Sequence, residues 1–275
     1  MSTVSRKSSR EHHVTVPSLV RRKHRGEKIT MLTAYDFSFA QIFDAAEIDI
    51  LLVGDSLGNV VQGQETTLPV TLDDVIYHTR AVARGARRAL VVADMPFGSY
   101  QISEEDALRS AVRCIKDGGA QAVKLEGGTR VAGTIERIVS ADIPVMGHVG
   151  LTPQSIHRMG GHRVQGRNER SRERVLADAR AVEASGAFSL VIEGVPADLG
   201  REISEAVSIP TIGIGAGVHC DGQVLVMHDL LGLTEWSPSF VKRYADLGSL
   251  AAQAARNFAE EVANAKFPDE EHSYR

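Results

Sequence analysis

Ile50-Leu51-Leu52-Val53-Gly54-Asp55 carries the pattern that decides the fold. Four consecutive apolar residues without polar alternation are how a strand buried on both faces reads. Glycine and then a carboxylate end the run. The same phrase recurs along the chain, at 29–34, 50–53, 90–93, 122–125, 144–147, 188–192, 210–214 and 224–227, so eight strands are predicted. Helical stretches at 38–47, 72–85, 129–140, 168–185 and 197–207 separate most of them. The first places Phe39, Ile42, Phe43 and Ala46 on one face. The second opens with Thr71 as a cap and with Asp73 and Asp74 in the first turn, where negative charge suits the helix dipole. Another starts at Ser103 and stops at Gly118-Gly119. A final helix is predicted over 238–265, broken at Leu247-Gly248-Ser249.

Strands that alternate with helices pair in parallel through right-handed crossovers. Eight such units in roughly 240 residues match a (β/α)8 barrel. The fold class is therefore α/β, a single (β/α)8 TIM barrel over residues 29–275 behind a basic N-terminal arm over residues 1–28. The connection at 216–223 has room for little more than one helical turn, so a doubly wound open sheet is the other fold considered. The absence of G-x-G-x-x-G after the first run counts against it. The arm holds Arg6, Lys7, Arg10, Arg21, Arg22, Lys23 and Arg25 against Glu11 and Glu27. It reads as a solvated segment with a short helix near 16–24, since no aromatic residue joins the charges as a nucleic-acid patch would have.

Composition narrows the function classes. The chain's 275 residues carry 31 Lys+Arg and 35 Asp+Glu, a net charge of −4, without the basic field that nucleic-acid binding uses. With 43% hydrophobic and 24% charged residues it is globular rather than disordered. Cys114 and Cys220 cannot form a disulfide framework, which suits a reducing cytoplasm. No apolar run approaches the ~18 residues of a membrane span. The start of the chain is polar and basic, so no secretory signal is expected.

Four of the predicted strands end at an acid: Asp55, Asp94, Glu126 and Glu193. In a parallel barrel all strands end at one face, where active sites of such barrels lie. Each acid taken singly could instead cap the following helix. Four like charges in one mouth repel, and a cation relieves that. The donors are all oxygen, with no His or Cys at metal-ligand spacing, which selects Mg2+ over Zn2+. Lys124 and Glu126 are two apart and share a side of their strand. Lys124 reads either as an ion-pair partner of a barrel acid or as a cation for a substrate carboxylate. Ser56 reads as a donor to a bound carboxylate or as a turn serine. His148 reads as an acid/base group or as a structural histidine. Gly213-Ile214-Gly215-Ala216-Gly217 could cradle a phosphate or allow tight packing. Gly160-Gly161 with the arginines of 163–174 reads as a binding loop or as a solvated helix face. Cys220 has no base nearby in sequence and is not expected to be a nucleophile.

These residues lie in strings that resemble one family. They are Thr33-Ala34-Tyr35-Asp36, Val53-Gly54-Asp55-Ser56-Leu57-Gly58, Ala93-Asp94-Met95-Pro96-Phe97 and Val123-Lys124-Leu125-Glu126-Gly127-Gly128, with Gly147-His148-Val149-Gly150-Leu151-Thr152-Pro153-Gln154-Ser155 and Val164-Gln165-Gly166-Arg167 further on. The chain resembles the ketopantoate hydroxymethyltransferases from about residue 17 to its end. The resemblance implies a barrel of the phosphoenolpyruvate/pyruvate type. It also implies transfer of a hydroxymethyl group from methylenetetrahydrofolate to the α-keto acid 3-methyl-2-oxobutanoate, with Mg2+, at the first step of pantothenate biosynthesis. By the same resemblance Asp55 and Asp94 ligate the metal and Glu126 is the third metal-site acid. Asp55, Ser56, Asp94 and Lys124 bind the keto acid, and Glu193 accepts the proton. A cytoplasmic homodecamer is implied as well. Two places depart from the family pattern: Gly194, where Cys or Met is expected beside Glu193, and Ile156-His157-Arg158-Met159 on the folate side. A Mg2+-dependent oxo-acid lyase or mutase of the same barrel type is the alternative, and it would ignore folate. A non-catalytic barrel is disfavoured by the cost of keeping four acids together.

Overall fold

The computed structural model describes residues 13–161 and 163–274, so Arg6, Lys7, Arg10 and Glu11 lie outside the described residues. The chain divides after Leu225 into two compact units. The first contains all eight strands: β1 (Ile29–Thr33), β2 (Ile50–Val53), β3 (Leu90–Asp94), β4 (Ala122–Glu126), β5 (Val145–Gly150), β6 (Ser189–Glu193), β7 (Thr211–Ile214) and β8 (Gly222–Leu225). Each pairs in parallel with the next, and β8 pairs back onto β1, so the sheet is a closed barrel. That closure removes the open doubly wound sheet.

Among the described residues, nine α-helices of this unit follow the strands or precede them: α1 (Val16–Arg25), α2 (Phe37–Ala45), α3 (Leu57–Val60), α4 (Leu72–Gly85), α5 (Glu104–Lys116), α6 (Ala132–Val139), α7 (Ile156–Met159), α8 (Glu169–Ala184) and α9 (Ala197–Ala206). Local chemistry explains their starts. Thr71 and Asp74 form a reciprocal capping box on α4, while Ser103 caps α5 and Asn168 caps α8.

The segment read as a solvated arm differs from that reading in its second half. Leu19 of α1 is fully buried, in one cluster with Ile29, Ile50, Leu90, Ala122 and Phe188, residues at or beside the strand starts. Two of the basic residues beside it face acids at the same end of the barrel. Arg22 pairs with Asp49 at 2.7 Å and Lys23 with Asp221 at 2.9 Å. Helix α1 therefore plugs the barrel end opposite the strand-terminal acids.

Strand β8 begins two residues earlier than its apolar run. Gly222 and Gln223 give no apolar signal, but their backbones are paired by β1 on one side and β7 on the other. The second unit contains α10 (Met227–Leu231) and α11 (Leu247–Ala263). The helix expected from 238 starts only at 247. Asp246 caps it by accepting from the Ser249 backbone N–H, so Leu247-Gly248-Ser249 is its first turn and not a break. None of its residues is buried, and Leu250, Phe258 and Val262 are exposed. No helix among the described residues is long and apolar enough to cross a membrane.

Candidate active site

Strand register assembles the acids. Asp94 lies directly opposite Lys124 across β3 and β4, and Glu126 opposite His148 across β4 and β5. Lys124 and Glu126, two residues apart, point into the barrel together. Asp55, Asp94, Lys124, Glu126 and His148 are all buried. None of the four strand-end acids caps a helix. The residues at the following caps are Ser56, Ser103, Val131 and Pro196.

Lys124 Nζ donates to Asp94 Oδ1 at 2.6 Å, so the ion-pair reading of this lysine holds. The other Asp94 oxygen accepts from the Asp55 backbone N–H at 3.3 Å. Burial disfavours the charge on Lys124, but Asp94, Glu126 and Asp55 outweigh it and keep the ammonium protonated. Burial and the Asp55 charge push the Asp94 carboxyl up against the pull of Lys124. Burial likewise raises Glu126 well above the usual carboxylate range, with Asp55 adding to it.

Gln154 ties the acids together. Its Nε2 donates to Asp55 Oδ2 and to the Met95 carbonyl, each at 3.0 Å, and its backbone N–H donates to Glu126 Oε2 at 3.0 Å. The Tyr100 hydroxyl donates to Gln154 Oε1 at 2.7 Å and also accepts from the Glu126 backbone N–H. Burial and the Glu126 charge raise the Tyr100 phenol well above its usual range, so it stays a donor. Ser56 stands at the α3 cap position without a side-chain cap hydrogen bond; its Oγ pairs with the Tyr35 hydroxyl at 2.7 Å.

His148 stands between two carboxylates. Its Nε2 is 3.2 Å from Glu193 Oε2 and its Nδ1 is 3.6 Å from Glu126 Oε1. Neither ring nitrogen makes a well-directed hydrogen bond, although both are buried. Burial, then the Lys124 charge, lowers the imidazole against the pull of Glu193, favouring its neutral form. Glu193 is more accessible than Glu126 and Asp94, at 17% side-chain exposure against 3% for each of those two. Its place on β6 depends on Gly150, the residue opposite it on β5. A Cβ at Gly150 would lie 2.2 Å from the Glu193 carbonyl oxygen, and its φ is +93°, so only glycine fits.

Four acids, Asp55, Asp94, Glu126 and Glu193, share this mouth with one ammonium, and Lys124 is the one buried lysine or arginine among the described residues. That excess and the all-oxygen donors fit a divalent hard cation. Among the described residues no three His, Cys, Asp or Glu side chains form a ready-made metal cage. A small hard cation can be held by one or two carboxylates, with its other positions left to substrate and water.

The remaining sequence candidates fall elsewhere. Gly213 lies against Cys220, and Gly217 against Ala197 at the start of α9, so these glycines serve packing. Gly194 follows Glu193 with φ +58°, beside Leu151. Of the 163–174 arginines, Arg172 pairs with Asp198 and Glu202, whereas Arg174 lines a cavity. His162, in the same segment, lies outside the described residues. Sequence reasoning missed Gln154, Tyr100 and Tyr35 as parts of the site. The first and last lie inside the quoted strings, but nothing in spacing marks an uncharged residue that returns from a loop.

The family model described as ketopantoate hydroxymethyltransferase matches residues 13–270. The 3-methyl-2-oxobutanoate hydroxymethyltransferase of Geobacter metallireducens is 58% identical over 261 residues, 94% of this chain and 98% of that one. The enzyme of the same name from Pelobacter propionicus is 57% identical, over 95% of this chain and 97% of the other. In fold, the chain resembles a phosphonopyruvate hydrolase solved with oxalate and Mg2+, with a TM-score of 0.61, 12% identity and coverage of 94% and 92%. It also resembles 2,3-dimethylmalate lyase, a member of the PEP mutase/isocitrate lyase superfamily, with a TM-score of 0.58, 17% identity and coverage of 94% and 91%. Identities that low speak for the barrel alone; the family rests on the sequence matches. By these matches, the chain belongs to the ketopantoate hydroxymethyltransferase family.

Proposed function

We propose that the acid-lined barrel mouth transfers a hydroxymethyl group from methylenetetrahydrofolate to 3-methyl-2-oxobutanoate, giving 2-dehydropantoate and tetrahydrofolate at the first step of pantothenate biosynthesis. The observation that carries this reading is the buried group of Asp55, Asp94, Glu126 and Lys124 with the more accessible Glu193 at its edge. Asp55 and Asp94 would hold Mg2+, with Glu126 as the third acid acting from behind. When bound, the ion polarises the keto oxygen and offsets the negative charge that grows there.

The chain's own groups do the rest. Asp55, Ser56, Asp94 and Lys124 bind the keto acid, with the Lys124 ammonium toward its carboxylate. Glu193 accepts the proton from C3. Both carbon–nitrogen bonds of the donor's methylene break: the electron pair freed at C3 replaces one, the hydroxyl of water replaces the other, and the two folate nitrogens take up the proton held by Glu193 and the remaining proton of the water. His148, with its Nε2 3.2 Å from Glu193 Oε2, lies within reach of that carboxylate. The proposal includes a cytoplasmic homo-oligomer, a decamer by family resemblance. The exposed Leu250, Phe258 and Val262 offer apolar surface that an assembly would cover.

Incubation with the keto acid, Mg2+ and methylenetetrahydrofolate tests the reading. Formation of 2-dehydropantoate in step with tetrahydrofolate is expected. Cleavage of the keto acid at a rate indifferent to folate would overturn it in favour of a lyase.

A further inference from the structure

Three exposed arginines gather beside the acid cluster, with Asp178 as the one acid lining the same cavity. Arg130 lies in the short turn Thr129–Val131 after β4, Arg158 in α7 and Arg174 in α8. All three line one cavity of about 280 Å3, together with Gly127 and Gly150 at the mouth ends of β4 and β5. Among the described residues none of the three makes an ion pair or a hydrogen bond. Asp178, in the same lining, already accepts from the Thr129 backbone N–H and hydroxyl at 2.8 and 2.9 Å. Loss of water and the charges of Arg130 and Arg174 disfavour the charge on Arg158, and Asp178 offsets this only in part. Like charges held together at a cavity without partners make a site for an anion.

The cavity does not stand alone. A second one, of about 500 Å3, shares Arg130 and Arg158 and reaches Glu126 and Gln154 of the acid cluster. Leu68, Phe97 and Tyr100 wall it. A ligand that spans both would place one end against Leu68, Phe97 and Tyr100 beside the acids and a negatively charged end among the arginines. Three guanidinium groups and Asp178 sum to two positive charges, which two carboxylates match.

We propose that Arg130, Arg158 and Arg174 form the subsite for the glutamate-tail carboxylates of the folate donor. The inference rests on the transfer reading above and adds to it which residues hold the donor's far end. It also gives a role to Arg158 in the string that departs from the family pattern.

The test uses the full-length enzyme with Mg2+ and saturating keto acid. KM is measured for methylenetetrahydrofolate and for methylenetetrahydropteroate, which lacks the glutamyl residue. In the unmodified enzyme the tail-less donor is expected to have a KM about tenfold higher, the scale of one charge-assisted carboxylate contact. In Arg158→Gln, and separately in Arg130→Gln, that ratio is expected to fall to within about threefold, with the loss in KM. Inorganic sulfate is expected to compete with the glutamylated donor and not with the tail-less one. A ratio unchanged in both variants, or sulfate that binds without displacing the glutamylated donor, would overturn the tail subsite while transfer itself continued. No turnover with either donor would instead remove the transfer reading, and this inference with it.

Discussion

Leu19→Ala separates a helix that plugs the barrel from a solvated arm. Leu19 is fully buried and packs with Ile29, Ile50 and Leu90 at the starts of three strands. Those strands are tied into a closed sheet, so they cannot collapse into the space a lost side chain leaves. Leu→Ala changes at such sites cost about 3 kcal/mol or more. In a chain of this size each kcal/mol shifts Tm by roughly 2–4 °C, so a fall of about 6–12 °C is expected. Far-UV circular dichroism is the suitable readout, because the single tryptophan, Trp236, lies in the C-terminal unit. Ile102→Ala, at a residue 77% exposed, is the control and is expected to stay within about 0.5 kcal/mol. If Leu19→Ala changed Tm no more than Ile102→Ala did, the plug would be wrong and α1 would be an arm after all.

Asp49 is held below the usual carboxylate range. Burial opposes this, but the Thr30 backbone N–H, Arg88 and Arg22 outweigh it. A depressed native pKa contributes stability above the unfolded value of ~3.9 that is lost as pH falls through the native one. Asp49→Asn is therefore expected to cost about 2 kcal/mol at pH 7 and progressively less below pH ~4, read by urea denaturation across pH. Gly150→Ala is expected to displace Glu193 and lower kcat by roughly 100-fold, since a shift of about 1 Å at a catalytic group has that effect. Steady-state kinetics check it, and wild-type kcat would mean the contact yields easily. Asp55→Asn is expected to weaken Mg2+ binding at least about tenfold by calorimetric titration; an unaltered Kd would take Asp55 out of the metal set.

The barrel strands were legible because burial on both faces writes continuous apolar runs, as in Ile50-Leu51-Leu52-Val53. Where a strand's place comes from its neighbours, as with Gly222 and Gln223 between β1 and β7, the run alone misplaced it. The start of α11 depends on one side-chain cap by Asp246, which hydrophobic period does not register. Leu19 was hidden by the arginines and lysines around it, whose acids, Asp49 and Asp221, lie far off in sequence. In the site, the four acids stood out as charges at strand ends. Register then explains why Asp94 meets Lys124 and Glu126 meets His148. Gln154 and Tyr100 were not legible, because an uncharged residue becomes part of a site only through the loop that returns it to the acids.

The central claim is that Glu193 takes the C3 proton while the acids opposite hold Mg2+. Proton exchange at C3 of 3-methyl-2-oxobutanoate in D2O, followed by NMR without folate, tests it most directly. Exchange is expected with Mg2+ in the unmodified enzyme, with loss on adding a chelator and a fall of about 100-fold or more in Glu193→Gln. Exchange in Glu193→Gln within about threefold of the unmodified enzyme would contradict the assignment.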